Sequence, residues 1–283
     1  MISDLAADAF RNDAEERLRA DLLQAAVAQA PALGATAVPD LAELVALYYA
    51  NVAVDDLVDQ DPLDVLGAAL SHRQAAAHRD PGQTLVRVHT PTIEENGWSN
   101  GHTCVEIVSD DMPFLVDSVS AALSTHSRGI HLVIHPQFDV HRDDAGTLLS
   151  LGPVDHSADR PFDVVTESWI HFDIDRESDV GELERLAAEL TDVLADVRAA
   201  VTDWPPMQAE AETIANRLAA AEIPELDTDV QREAGEFVSW LVAGNFTFLG
   251  FRRYDLVPAG EGQALAVVTG TGRGILRGGD GHV

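Results

Sequence analysis

Lysine is absent from this 283-residue chain, and all 18 basic residues are arginine. That absence excludes a Schiff-base nucleophile, a P-loop lysine and an ammonium clamp on a substrate. Cysteine is nearly absent too. The only one, Cys104, cannot form an intrachain disulfide. It lies in a predicted strand, away from any helix N-terminus that would lower its pKa, and reads as a buried structural thiol. No apolar run approaches a membrane span. The opening "MISDLAADAF" lacks the basic start and apolar stretch of a signal peptide, so a soluble cytoplasmic protein is expected. Positive charge is scarce, with 18 arginines against 48 acids and a formal net charge of −30. Such a surface repels phosphate backbones and anionic lipid, which excludes nucleic acid and membranes as partners. Gly-x-Ser-x-Gly, His-Glu-x-x-His and Cys-x-x-Cys do not occur. "GTGRG" at 270–274 lacks the third glycine of a dinucleotide loop, since Ile275 stands there, and reads as a turn.

What is present is ample apolar material, 46% of residues, in a length that suggests two compact units with connecting helices. Residues 1–82 have helical periodicity. Asp40 and Glu43 have capping-box spacing, and Asp61-Pro62 starts a further helix with proline at its first position. From Thr84 the period changes to two. "TLVRVHTPT" and "HTCVEIVSD" read as strands joined by the loop "ENGWSNG". A helix in "MPFLVDSVSAALSTHS" follows, then one long strand "IHLVIHPQFDVHRD", a strand "ESWIHFDID" and a helix over 179–201. The order β-β-α-β-β-α within 84–204 predicts an α+β domain, a mainly antiparallel sheet with helices on one face. Residues 205–244 read as a helical linker. Residues 245–283 read as the opening hairpin of a second domain, cut off before any helix covers it.

Two constellations stand out. The corner "SDDMPFLVDSV" joins a strand to a helix through Asp110, Asp111, Met112, Pro113 and Phe114. Carboxylates at a helix start cap free N–H groups, and proline suits a first turn, so a capped helix start explains the pattern. A ligand received there would bring an ammonium group rather than an anion. The second constellation is histidine-rich. Alternation from Ile130 sets His131, His135 and His141 opposite Ile130, Leu132, Ile134, Phe138 and Val140. In the next strand Trp169, His171 and Asp173 alternate against Ser168, Ile170, Phe172 and Ile174. Together these predict a polar sheet face carrying His131, His135, His141, Trp169 and His171, read as a subunit or domain contact or as a merely solvated face. A metal is not expected there, because an extended strand holds His131 and His135 about 13 Å apart at a rise of about 3.3 Å per residue.

"VEIVSDDMPFLVDSVSAAL", "RGIHLVIHPQFDVHRD", "FVSWLVAGNFTFLGFRRYDLV" and "GTGRGILR" closely resemble, in order, the N-terminal region of the large bacterial NAD-specific glutamate dehydrogenases. The resemblance implies ACT-like, ferredoxin-like domains with helical linkers, here a first ACT-like domain and the start of a second. The catalytic core of that family lies further along. The implied role is a non-catalytic regulatory and oligomerisation segment, without catalytic, cofactor or metal residues of its own. NAD would then belong to the parent enzyme, whose catalytic part and other subunit copies are the implied partners. The missing lysines agree, because that family's active site relies on lysine. A stand-alone amino-acid-sensing module is the alternative, and a histidine-dependent hydrolase a distant third. Typical ACT domains carry Asp-x-Pro-Gly at the first strand–helix turn, where an amino-acid effector binds. Here Phe114 stands in place of that glycine.

Overall fold

The computed structural model describes residues 2–157, 161, 163–220, 227–260 and 262–278, with side chains from residue 14 onward. The chain divides into two compact units, residues 1–193 and 194–283.

The first unit opens with four helices: α1 (Ile2–Val27), α2 (Leu41–Tyr48), α3 (Val54–Leu57) and α4 (Pro62–Ala75). At the start of α4 the Asp61 carboxylate accepts a hydrogen bond from the Leu63 N–H, and Pro62 occupies the first turn, as the sequence predicts. The capping box expected at α2 does not form. Asp40 is left-handed, with φ 50°, and its side chain makes no cap.

The sheet comprises β1 (Leu85–His89), β2 (Thr103–Asp110), β3 (Ile130–Ile134), β4 (Gln137–Arg142), β5 (Leu148–Gly152) and β6 (Val164–Ile174). Strand order is β1-β2-β6-β4-β5, with β3 also pairing β6. Every pairing is antiparallel. The helices α5 (Ile93–Asn96), α6 (Leu115–Thr125) and α7 (Val180–Thr202) complete the α+β, ACT-like arrangement.

Alternation along β2 and β6 assigns their side chains to two faces. One carries Val105, Ile107, Ile170, Phe172 and Ile174, all buried, and the apolar stripes of α6 (Leu115, Val119, Leu123) and α7 (Leu186, Leu190) are buried likewise. The other carries Cys104, Glu106, Val108, Glu167, Trp169, His171 and Asp173. That face is not free. Val108, Ile134, Phe138, Val140 and Trp169 share one core with Ala26, Val45, Tyr48, Tyr49, Leu57, Val65, Leu66 and Ala69 from the N-terminal helices. Helices therefore cover both faces, whereas alternation alone had suggested cover on one.

Three local differences have physical causes. The long strand expected from Ile130 is two strands, because Pro136 has no N–H to continue a ladder. The strand β5 (LLSLG) was not anticipated, since it lacks the polar–apolar alternation that marks a half-buried strand. The loop "ENGWSNG" begins inside a helical turn, α5, which the Thr92 hydroxyl caps and Gly97 ends at φ 78°.

In the second unit, α8 (Trp204–Ala220) lies against α9 (Thr228–Trp240), with Gly235 close to Ala215 and Leu218. A π-turn over Leu241–Asn245 ends the helix at Gly244, φ 91°, where the sequence places the stop. Short strands β7 (Gly250–Phe251) and β10 (Arg273–Gly274) pair, and β8 (Tyr254–Ala259) and β9 (Gly262–Val267) form the expected hairpin. Asp203 accepts from the Gly274 N–H at 2.7 Å and from Arg277 at 2.6 Å, tying the start of α8 to β10. Among the described residues no helix is long and apolar enough to cross a membrane.

Candidate functional site

The acidic corner is built differently from a capped helix start. Phe114, not an acid, is the N-cap of α6, with φ 72° and ψ 5° and no side-chain cap. The left-handed conformation that glycine adopts freely is thus held here by phenylalanine. Both acids turn back toward the sheet. The Asp111 carboxylate accepts from the Ser168 hydroxyl at 2.6 Å and from the Gln137 amide at 2.8 Å, and its backbone N–H donates to Thr166. Asp110 accepts from the Arg79 guanidinium at 2.8 Å. Capping by these acids, expected from spacing, is therefore replaced by cross-links to β4, β6 and the segment after α4. Met112 and Pro113 span the turn between the acids and Phe114.

Asp110 belongs to a buried ionic cluster centred on Glu167. Arg79 donates to Glu167 Oε1 at 2.8 Å, and Arg142 donates to Oε1 at 2.7 Å and to Oε2 at 2.9 Å. The Trp169 indole N–H adds a bond at 3.0 Å. Burial alone would raise the Glu167 pKa. The Arg142 hydrogen bonds, the Arg79 charge and the Trp169 bond outweigh burial and hold it below the usual carboxylate value. Arg79 and Arg142 also donate to the carbonyls of Gln83, Ala76 and Gly146. An open cavity of about 500 Å³ lies beside them, lined by Arg79, Gly82, Asp110, Arg142, Asp163 and Glu167. With both guanidinium groups engaged and acids at its rim, it suits a cationic or ammonium-bearing ligand better than an anion.

A second cluster lies further along the same face. Glu106 accepts from Arg87 Nε at 2.7 Å and faces His89, while Arg87 also binds Ser71. Burial raises Glu106, but the His89 hydrogen bond and the charges of His72 and Arg87 hold its pKa far below the ordinary range. His72 bridges Tyr48 Oη at 2.9 Å and the Ile107 carbonyl at 3.1 Å, and burial lowers its pKa to about 4.

The five predicted face residues do not share one face. The register pairs Phe138 with Glu167 and His141 with Val164. Phe138 therefore joins the side of Trp169 and His171, and His141 falls on the opposite side. A strand pattern assigns side chains to two sets, but only the register says which sets of neighbouring strands coincide. Trp169 and His171 are fully buried under the N-terminal helices. His131 and His141 stay half-exposed, His131 bonded to Asp175 and stacked on His102, His141 beside Asp163. His135 bonds the Ser168 hydroxyl at 3.0 Å, and burial lowers its pKa. The cluster residues were missed: buried Arg79, Glu106 and Glu167, and part-buried Arg87 and Arg142. Their signal was two acids, Glu106 and Glu167, and two arginines, Arg87 and Arg142, placed inside strands, where polar residues read as solvent-facing; Arg79 follows α4 with no such signal.

A family model described as "Glutamate dehydrogenase, ACT1 domain" matches residues 44–190. An NAD-specific glutamate dehydrogenase of Halomonas elongata is 37% identical over 231 residues, 82% of this chain and 14% of that protein. One of Pseudomonas aeruginosa is 32% identical over 240 residues, 85% of this chain and 14% of the relative. One of Mycobacterium tuberculosis is 28% identical over 225 residues, 77% and 13% respectively. The chain thus spans about one-seventh of the length of the relatives it matches.

Proposed function

Because the chain belongs to the glutamate dehydrogenase ACT1-domain family, we propose that it is a non-catalytic regulatory and assembly segment of a large NAD-dependent glutamate dehydrogenase. In this reading the parent enzyme deaminates L-glutamate oxidatively to 2-oxoglutarate and ammonia in the cytoplasm, and NAD binds elsewhere in it. The observation that carries the reading is the family match over residues 44–190, the sheet together with α3 and α4, in a chain that spans about 14% of the relatives. The lack of lysine supports it, since no residue here supplies the substrate-binding ammonium groups that the parent chemistry uses. In this reading residues 84–204 form the first ACT-like domain and 245–283 belong to a second, in which Leu256 and Leu265 of β8 and β9 are largely exposed. Partners are then the catalytic part of the enzyme and other copies of the subunit.

The cavity beside Asp110 favours one further element, an amino-acid effector that presents its ammonium group to the acidic rim. The test combines two measurements on the purified chain. It should show no glutamate-dependent NAD reduction, and turnover by pure protein would refute the reading. Calorimetric titration with a panel of amino acids then decides the effector: heat lost in Asp110→Asn supports it, and no heat at millimolar amino acid removes it. Tight binding by the isolated chain would favour the stand-alone sensor.

A further inference from the structure

Cys104 and Asp173 are directly paired across β2 and β6, and His171 precedes Asp173 by two residues on the same face. The register thereby gathers a sulfur, a nitrogen and an oxygen donor, all within 4.8 Å of one another. Cys104 Sγ lies 3.5 Å from Asp173 Oδ1, and His171 Nε2 lies 2.9 Å from the same oxygen. All three residues are buried. We propose that Cys104, His171 and Asp173 form a buried binding site for a zinc-class divalent metal ion.

The spacing fits. Zinc–ligand bonds of about 2.0–2.3 Å in a tetrahedron place donor atoms roughly 3.3–3.6 Å apart. Asp173 already stands at 3.5 Å from Cys104 and 2.9 Å from His171, and Cys104 and His171, within 4.8 Å of each other, need close by no more than roughly an ångström to meet that spacing. The donor types fit as well: one thiolate, one imidazole and one carboxylate select zinc over magnesium or calcium, which take oxygen ligands. The fourth position is open. A small, partly open space of about 10 Å³, lined by Gln60, Asp64, Asn100, His171 and Asp173, adjoins two of the three ligands. That is room for one water, and the half-exposed Gln60 and Asp64 mark an entry path. Asn100 donates to Asp173 Oδ1 at 2.8 Å while its own oxygen accepts from the His102 N–H, so it orients the carboxylate without being a ligand.

His171 supplies the independent observation. Its Nδ1 is the buried side-chain polar atom left without a hydrogen-bond partner among the described residues. His72, close by, uses both ring nitrogens in bonds to Tyr48 and Ile107 and needs nothing more. A purely structural histidine is satisfied at both ends. His171 is held by Asp173 alone, so one of its two ring nitrogens stands free to take an ion. Charge balances too. The ion displaces the thiol proton of Cys104, and the Cys104 thiolate and the Asp173 carboxylate then set two negative charges against its two positive ones, with His171 a neutral ligand.

Cobalt(II), titrated into the metal-free 283-residue chain, tests the site. The expected result is a thiolate-to-cobalt band in the near ultraviolet with intense tetrahedral d–d bands, saturating at one equivalent and abolished by zinc. Cys104 is the only cysteine, so in wild-type protein the thiolate band can come from no other residue. Cobalt binding should release protons in weakly buffered solution, and Asn100→Ala should weaken it about tenfold. Cys104→Ala, with its fold checked by circular dichroism, should lose the band. Absence of the band in wild-type protein at millimolar cobalt overturns the proposal, as does cobalt affinity unchanged in Cys104→Ala, which would indicate surface histidines.

Discussion

Phe114 shows how a single residue can keep a backbone shape while changing what the shape offers. At φ 72° it holds the left-handed turn before α6, and the residue is 43% exposed. A β-carbon in that region is strained, so Phe114→Gly should be more stable than Phe114→Ala by about 1 kcal/mol, the reverse of the usual order in helices and strands. Denaturant midpoints of the two variants decide it, and equal midpoints would show an unstrained turn. His72 carries a pH prediction. Its folded pKa is lowered to about 4, chiefly by burial. An unfolded histidine takes up its proton below about pH 6.5. The stabilisation is therefore complete above pH 6.5 and is lost as pH falls toward 4, a change on the order of 3 kcal/mol. Stability of wild-type protein should fall more steeply across that window than stability of His72→Gln. Parallel curves would mean that His72 is solvated in the native state.

At the level of elements, the helix α4 meets the loop after α5 at one small residue. A β-carbon on Gly67 would lie 2.3 Å from Trp98 Cγ. Alanine ordinarily stabilises a helix relative to glycine by about 1 kcal/mol. Here Gly67→Ala should instead destabilise, by about 1–3 kcal/mol from overpacking, as thermal denaturation would show; a stabilised variant would mean that Trp98 moves aside freely. Much of this layer was legible in the sequence. Strong alternation marked β1, β2 and β6, and Asp61-Pro62 marked the start of α4, because short-range chemistry determines them. The break at Pro136 and the strand β5 were less legible, since one depends on a missing donor and the other on burial without alternation. The candidate site was least legible. Asp110 and Asp111 were visible as a corner, but their partners Arg79, Ser168 and Gln137 lie 26 to 57 residues away. Likewise, the burial of Trp169 and His171 follows from a register and a helical layer that no local pattern encodes.

For the whole molecule, the net charge of −30 opposes compaction. Raising salt from roughly 0.01 M, where the Debye length is about 30 Å, to roughly 1 M, where it is about 3 Å, should raise the denaturation midpoint by several degrees. A falling midpoint would show that screened ion pairs matter more than the overall repulsion. The buried Arg79–Glu167–Arg142 cluster should be largely indifferent to salt, being shielded from solvent. It also constrains where the chain can be cut. Arg79 follows α4, whereas Glu167 and Arg142 sit in the sheet, so a fragment beginning at Thr84 would strand an acid without one of its two cations. The same cut would uncover Trp169 and Phe138. The loop near residue 82 looks like a seam in the sequence, yet severing it would divide one cooperative unit, and an excisable piece must carry the N-terminal helices with the sheet.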